Sequence, residues 1–289
     1  CSSDLVPEEI HQDRPRKSNN LIAQKMVEAT HATQAQVCAL DVGWRQHDAA
    51  ELRRAIERVC LLLDDLAAST WPYAVLAILS MISGLGIASV VTLPLQQAPI
   101  WLDLIDGCLR WQWSAVVPRK RLPALTRQAG YGPRADVRVP LPSKLAAVLG
   151  TAYAAASDAR TIAELLFGAA GMTAKQTRAY KAFLRGLLPN TSHGLHHRRL
   201  SKSLGPAIVR SSKSDLLAAL ATLDFSIIAP HQLDYLCTPE VTLWRAISAA
   251  YVTVGLGDAQ PLPDPAWIGT PRRVREDRLV RGWAAVQER

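Results

Sequence analysis

Residues 191–199 read Thr191-Ser192-His193-Gly194-Leu195-His196-His197-Arg198-Arg199, and a later segment reads Leu233-Asp234-Tyr235-Leu236-Cys237-Thr238. The first segment places three His and two Arg within seven positions, without a neighbouring Cys or carboxylate that would complete a set of metal ligands. We therefore expect neither a metal ion nor another cofactor. In an arbitrary protein, a tyrosine such as Tyr235 is more often a half-buried aromatic residue than a nucleophile.

The composition is that of a basic, globular chain. Its 289 residues are 49% hydrophobic and 20% charged, and the formal net charge is +8. An excess of positive charge favours a polyanionic partner, although a generic basic surface is the other explanation. Five Cys without a C-x-x-C pair indicate neither a zinc knuckle nor a disulfide framework. Since no apolar run is long enough to span a bilayer, we expect no membrane partner and a cytoplasmic location, associated with the nucleoid if the source is bacterial.

The distribution of apolar and polar residues predicts three regions. Residues 1–45 predict an N-terminal arm and one helix, because dense charge gives way to apolar positions at helical spacing only after Leu21. Residues 46–255 predict the main domain. Residues 256–289 predict a linker with several Pro and Gly, followed by a basic C-terminal helix.

The main domain shows a helical pattern with one change of period. After Pro94 the apolar residues alternate, which predicts strands over 101–104, 109–113 and 136–142, with a hairpin turn at Asp106-Gly107. Thr173 predicts the N-cap of a helix over 174–187, and a helix after residue 196 is expected to end near Leu204, because Gly205-Pro206 should break it. Further helices are predicted over 48–66 and 71–82, from Ser143, from Ser214 and over 241–251. We expect a predominantly helical α+β fold with a small three-stranded antiparallel sheet.

The order of these elements and several short motifs resembles the catalytic domain of the tyrosine recombinases, the phage-integrase family. Box I of that family, a helix, a Gly-containing turn and a second helix ending in Leu, is similar to Ser83-Gly84-Leu85-Gly86-Ile87-Ala88-Ser89-Val90-Val91-Thr92-Leu93. Box II is similar to residues 191–199, and Tyr235 stands where the family carries its nucleophile. The resemblance covers roughly residues 44–251. It implies that Arg and His clamp a DNA phosphate while the Tyr attacks it and becomes covalently joined to DNA.

Two alignments of box II remain open. In the first, residues 191–197 match the family's T-P-H-x-L-R-H, so His193 is the box II His and His196 stands in place of the catalytic Arg. In the second, residues 196–199 match H-x-x-R, which keeps both His196 and Arg199. The order of residue types favours the first alignment, and the interval of 36 positions between Arg199 and Tyr235 favours the second.

The chain also departs from the family's pattern. Gly86 stands where the resemblance places the first catalytic Arg, and Phe225 stands in place of the His that supports the leaving oxygen. His231 lies four residues before Tyr235 and is a candidate substitute for that His. Because loss of one charged donor costs about 3 to 4 kcal/mol of transition-state stabilisation, we expect weakened cleavage.

Basic residues outside the motifs are candidates for DNA contact. Lys120 is either the catalytic Lys that the family carries on its hairpin or part of a basic loop that touches the DNA backbone. A solvated face is the alternative for the basic side of the helix over 174–187. The candidate phosphate contacts are Arg119, Arg121, Lys175, Arg178, Lys181, Arg185, Arg198 and Lys202.

Two hypotheses about function follow. The first is a site-specific recombinase or integrase of a mobile genetic element, which cleaves and rejoins DNA through a phosphotyrosine link and acts with Arg199, His196, Lys120 and Tyr235. The second is a non-catalytic, recombinase-like DNA-binding or assembly factor, motivated by Gly86 and Phe225. In both, the partner is duplex DNA, together with further copies of the chain or partner recombinase subunits.

Overall fold

The computed structural model describes residues 49–65, 68–112, 136–188, 195–224 and 237–269, all of which belong to one compact unit, His47–Arg289. The predicted helix after Leu21 and the predicted C-terminal basic helix lie outside the described residues. Among the described residues the α+β class is confirmed, with mostly helices and a small antiparallel sheet of three strands. No helix in the described ranges combines the length and apolar character that crossing a membrane requires.

The core is built around one helix that is buried almost all round. Helix α1 (Ala49–Leu62) places Ile56 and Val59 against helix α2 (Trp71–Ser83), whose residues from Ala74 to Ser83 are all buried. A helix that is apolar on every face belongs in the centre of a domain. Its two buried hydroxyls, those of Ser80 and Ser83, donate to carbonyl oxygens four residues earlier, both at 2.6 Å.

The predicted helix–turn–helix of box I is present. Helix α2 ends at Gly84, which has a φ of 67° and donates its N–H to the Ser80 carbonyl. Gly86 then caps the short helix α3 (Ile87–Val91) in an extended conformation. An added Cβ at Gly84 would collide with the carbonyl oxygen of Thr222, so only glycine fits this close approach of two backbones.

The predicted hairpin and third strand form a sheet with the order β1-β2-β3. Strand β1 (Ile100–Asp103) pairs antiparallel with β2 (Cys108–Gln112), which pairs antiparallel with β3 (Asp136–Pro140). The turn passes through Gly107 at a φ of 67°, as the Asp-Gly signal predicts. The observed strands differ from the predicted ones by one or two residues at their ends.

The remaining helices are α4 (Ser143–Ala155), α5 (Ile162–Phe167), α6 (Ala174–Leu187), α7 (His197–Ser201), α8 (Leu204–Ser212), α9 (Asp215–Thr222) and α10 (Glu240–Val254). Thr173 caps α6 as predicted, and its partner Gln176 completes a capping box. Ser214 likewise caps α9 by accepting from the Leu217 N–H.

The predicted break at Gly205-Pro206 is wrong. Helix α7 already ends at Ser201, and Pro206 lies in the first turn of a new helix, α8. The first N–H groups of a helix have no partner within it, so the missing N–H of a proline costs nothing there.

Residues beyond the predicted boundary at 255 continue to pack on the same unit. Strand β5 (Trp267–Gly269) pairs antiparallel with β4 (Cys237–Pro239), and neither strand was predicted. Leu256 is buried, and the Gln260 N–H donates to the Leu141 carbonyl at 2.7 Å. The part of the predicted linker that the structure describes is therefore attached to the sheet and to α10.

A buried ion pair joins these elements at their centre. The Arg138 guanidinium on β3 donates to the Glu240 carboxylate at the start of α10, with 2.7 Å between Nη2 and Oε2. The same carboxylate accepts from the Ala266 N–H at 2.8 Å, and the guanidinium also donates to the Asp264 carbonyl. The guanidinium lies 5.0 Å from the centre of the Trp244 ring. The pair therefore links β3, α10 and the segment before β5.

Candidate nucleic-acid interface

The structure describes only some of the predicted site residues. Tyr235, His193, His231, Lys120, Arg119 and Arg121 lie outside the described residues. The described candidates lie on α6, on α7 and on the two residues that flank α7, and they are Lys175, Arg178, Lys181, Arg185, His196, Arg198, Arg199 and Lys202.

Box I and box II are neighbours in space, although about a hundred residues separate them in the chain. Helix α7, which begins at the third His of box II, packs against α2, which ends at the box I turn. The Thr222 carbonyl at the end of α9 approaches Gly84 of the turn so closely that a Cβ there would collide with it. Helix α9 leads into the segment that carries Tyr235. The described part of the fold thus brings two of the three predicted motifs together.

The basic and histidine side chains of box II are presented at one end of α7. His196 is the N-cap and is exposed, Arg198 is exposed, and Arg199 is half-buried. Residues three apart on a helix are neighbours, so His196 and Arg199 lie on the same side. Leu195 and Leu200 are buried and attach α7 to the core. This placement is compatible with both alignments of box II.

The space around Gly86, in the turn after α2, is open. Gly86 is exposed, its φ is −67°, and an added Cβ would have no atom within 4 Å. A residue with a side chain could therefore adopt this backbone conformation without strain. The position at which the resemblance expects an Arg is sterically free and lacks a cation.

Helix α6 has one basic face and one apolar face. Lys175, Arg178, Lys181 and Arg185 are all exposed, and the opposite side buries Tyr180, Leu184 and Leu187. From the first to the last of these cations the helix advances about 15 Å. At the C-terminal end, an Arg58 guanidinium N–H donates to the Leu187 carbonyl at 3.2 Å, which satisfies one of the last carbonyls of the helix.

Lys202 differs from the other candidate contacts because it already has an anionic partner. Its Nζ lies 2.6 Å from an oxygen of Asp224, the residue after the end of α9 and its cap. Both side chains are partly exposed, and such pairs contribute about 0 to 1 kcal/mol.

A polar pair that the sequence did not predict lies beneath box II. The His197 Nδ1 lies 3.2 Å from the Tyr180 hydroxyl of α6, and the two rings meet edge to face at 6.0 Å. Burial raises the pKa of the Tyr180 phenol, opposed by a hydrogen bond with Ser80. Burial also lowers the pKa of the His197 imidazole, opposed by a backbone contact with Leu85 in the box I turn. His197 therefore contacts α6 and the box I turn while belonging to box II.

The hairpin carries a cluster of side chains of the kinds that bind metal ions, and an arginine is ion-paired within it. Asp103, Asp106 and Cys108 lie close enough to share an ion. However, the Arg110 guanidinium already occupies the cluster, where it is ion-paired with Asp103, with Asp106 and with Asp136 on the neighbouring strand and offsets part of their negative charge. Burial raises the pKa of the Cys108 thiol to about 12, so the thiolate is disfavoured. The cluster holds an internal cation and stabilises the hairpin.

Comparison of the chain with protein-family models, with curated proteins and with solved structures found no match. The interpretation of the site rests on the residues of box I and box II and on the geometry that joins them.

Proposed function

We propose that the chain is a recombinase-like protein that binds duplex DNA and cleaves and rejoins its strands through a covalent link to Tyr235. The observation that carries the proposal is the packing of α2, the helix that ends at the box I turn, against the box II helix α7. The resemblance requires these two segments to meet, although about a hundred residues separate them in the chain. On this proposal the fold is that of a tyrosine-recombinase catalytic domain.

The electrostatics support DNA as the partner. Helix α6 presents a row of exposed cations, and Arg198 and Arg199 stand at box II. The formal charge of the whole chain is +8. Cations of this kind bind phosphates and release counterions from DNA, which makes the binding favourable and dependent on salt. Such contacts fix the position of a protein on the duplex without reading its sequence.

The chemical step needs no cofactor. The Tyr235 phenolate oxygen forms a bond to phosphorus while the bond from phosphorus to the deoxyribose oxygen breaks, and the freed oxygen takes a proton. His231 is the candidate donor in place of Phe225, and Arg199 and Lys120 are the candidate cations on the phosphate. Rejoining reverses these bonds, so the phosphotyrosine link conserves the energy of the broken bond.

Gly86 favours a second candidate function, a non-catalytic DNA-binding or assembly factor. The exposed glycine brings no charge to the phosphate. Loss of one charged donor costs about 3 to 4 kcal/mol, a rate factor of roughly 10² to 10³. In either case we propose that the chain acts on DNA with further copies of itself or with partner recombinase subunits, in the cytoplasm and as part of a mobile genetic element.

A matched pair of charge reversals tests DNA binding. Arg178→Glu/Lys181→Glu changes the basic face of α6, and Arg210→Glu/Arg245→Glu makes the same charge change at exposed positions of α8 and α10. We expect the first variant to lose much more affinity for duplex DNA than the second in fluorescence anisotropy titrations. Equal losses would show that only net charge attracts DNA and that α6 is not the binding face.

A suicide substrate separates the two candidate functions. A nick beside the cleavage position lets the released fragment diffuse away, which traps protein covalently on DNA. We expect a low yield of trapped protein that disappears in Tyr235→Phe. DNA binding without any trapped protein, also in the presence of partner subunits, would leave the non-catalytic factor as the function. Trapping that survives Tyr235→Phe would place the nucleophile at another residue.

A further inference from the structure

His197 stands at the meeting point of three segments that the proposed function uses. Its Nδ1 and the Tyr180 hydroxyl of α6 lie 3.2 Å apart. The backbone of Leu85 in the box I turn contacts the same imidazole ring. The Nε2 atom is buried and makes no hydrogen bond of normal geometry within the described residues. A side chain in this place connects the basic helix α6 with the box II helix α7.

Helix α7 depends on such a connection because it is very short. It contains five residues, and a helix of that length has no stability of its own in water. Leu195 and Leu200 bury it against the core, but apolar contacts are not directional. A hydrogen bond has a preferred geometry, so the contact between His197 and Tyr180 limits the rotation of the helix.

The two neighbours of His197 are the residues whose direction matters. His196 and Arg198 are exposed on either side of it, and Arg199 follows half-buried. Since successive residues of a helix point about 100° apart, a rotation of α7 that frees His197 also turns these side chains. The direction of the cations of box II is therefore coupled to the environment of His197.

We infer that His197 is a positioning residue, which through Tyr180 fixes the orientation of α7 so that Arg198 and Arg199 contact the same DNA as the cations of α6. This inference rests on the proposed function. His197 itself touches no DNA; it acts through the two arginines. A role limited to stability would change the folded fraction and leave the number of phosphate contacts unaltered.

The slope of the salt dependence measures that number. Each phosphate contact contributes about −0.9 to the slope of log K against log salt concentration. We expect His197→Leu to weaken DNA binding and to make the slope shallower by the same amount as Arg198→Ala/Arg199→Ala. In the background of that double variant, His197→Leu should have no further effect on the slope, since it acts through the same residues.

Two more variants keep the test decisive. His197→Asn retains a polar group near the position of Nδ1 and should restore most of the slope. Tyr180→Phe removes the other partner of this contact and should reproduce the effect of His197→Leu on the slope. It takes the place of His197→Leu in the test if that variant does not fold. Thermal unfolding of each variant sets a temperature at which all of them are folded.

The outcomes separate this inference from the proposed function. A slope that His197→Leu and Tyr180→Phe leave unchanged overturns the inference, and so does an effect of His197→Leu that adds fully to that of the arginine variant. Absence of DNA binding by the unmodified chain at low salt overturns the proposed function as well.

Discussion

At the scale of single residues, Gly86 and Gly84 form a natural comparison within one turn. We expect Gly86→Arg to fold with stability within about 0.5 kcal/mol of the unmodified chain, because its φ of −67° and its open surroundings accept a side chain. The added cation should strengthen DNA binding and raise the yield of trapped protein on the suicide substrate. Urea unfolding and the trapping assay measure the two effects.

Gly84 supplies the control for that prediction. Gly84→Ala places a Cβ against the Thr222 carbonyl at a backbone φ of 67°, so it should destabilise by more than about 1 kcal/mol. If Gly86→Arg lowers stability as much as Gly84→Ala does, the place beside box II is not free. If Gly86→Arg folds but leaves DNA binding unchanged, that place does not face the phosphate.

The Arg138 and Glu240 pair carries a second prediction at this scale. Glu240→Gln leaves a guanidinium that is only 4% exposed without its anion, so we expect a loss of about 3 to 5 kcal/mol in the free energy of unfolding. Glu57→Gln removes the same charge from an exposed pair with Arg53 and should cost under about 1 kcal/mol. Urea denaturation measures the free energy of unfolding of both variants. Equal losses for Glu240→Gln and Glu57→Gln would contradict a buried ion pair at Glu240.

At the scale of elements, the capping box of α6 decides how firmly the basic face is held. Thr173→Ala removes an oxygen that accepts from the Gln176 N–H, so it should lower stability by about 1 kcal/mol. Thr177→Ala removes a hydroxyl that bonds back to the Thr173 carbonyl within the first turns, and it should be nearly neutral. Thermal unfolding measures both losses of stability. A larger loss for Thr177→Ala than for Thr173→Ala would contradict the observed cap.

The elements that the sequence predicted are those with local signals. Thr173 and Ser214 mark helix starts through their own side chains, and alternation marks the three strands of the sheet. The helix that contains Pro206 was missed. A proline breaks a helix when it lies in the helix interior, but it is tolerated in the first turn, where Pro206 lies. Strands β4 and β5 were missed because three residues show no period and their pairing spans about thirty residues.

In the candidate site, too, features with a local sequence signal were predicted and contacts between distant elements were not. The sequence identified the basic face of α6, the box I turn and the box II segment, since each is a local pattern. It did not identify the contact between His197 and Tyr180, because that contact joins two helices whose relative placement no local signal reports. The pairing of Lys202 with Asp224 was missed for the same reason.

At the scale of the whole molecule, we propose that a chain of net charge +8 uses α6 and α7 to bind the phosphates of duplex DNA. The fold supports that claim by gathering box I, box II and α6 around His197. The ion pairs of the sheet and of α10 are internal, while the cations of α6 and Arg198 of α7 are exposed. Binding should therefore depend on salt much more strongly than folding does.

The most direct test is the affinity of the unmodified chain for duplex DNA over a range of salt concentrations. If the cations of α6 together with Arg198 and Arg199 all contact phosphates, the slope of log K against log salt concentration should be roughly −5. Each removed contact should make the slope shallower by about 0.9. No binding at the lowest salt, or a slope near zero, would contradict the account.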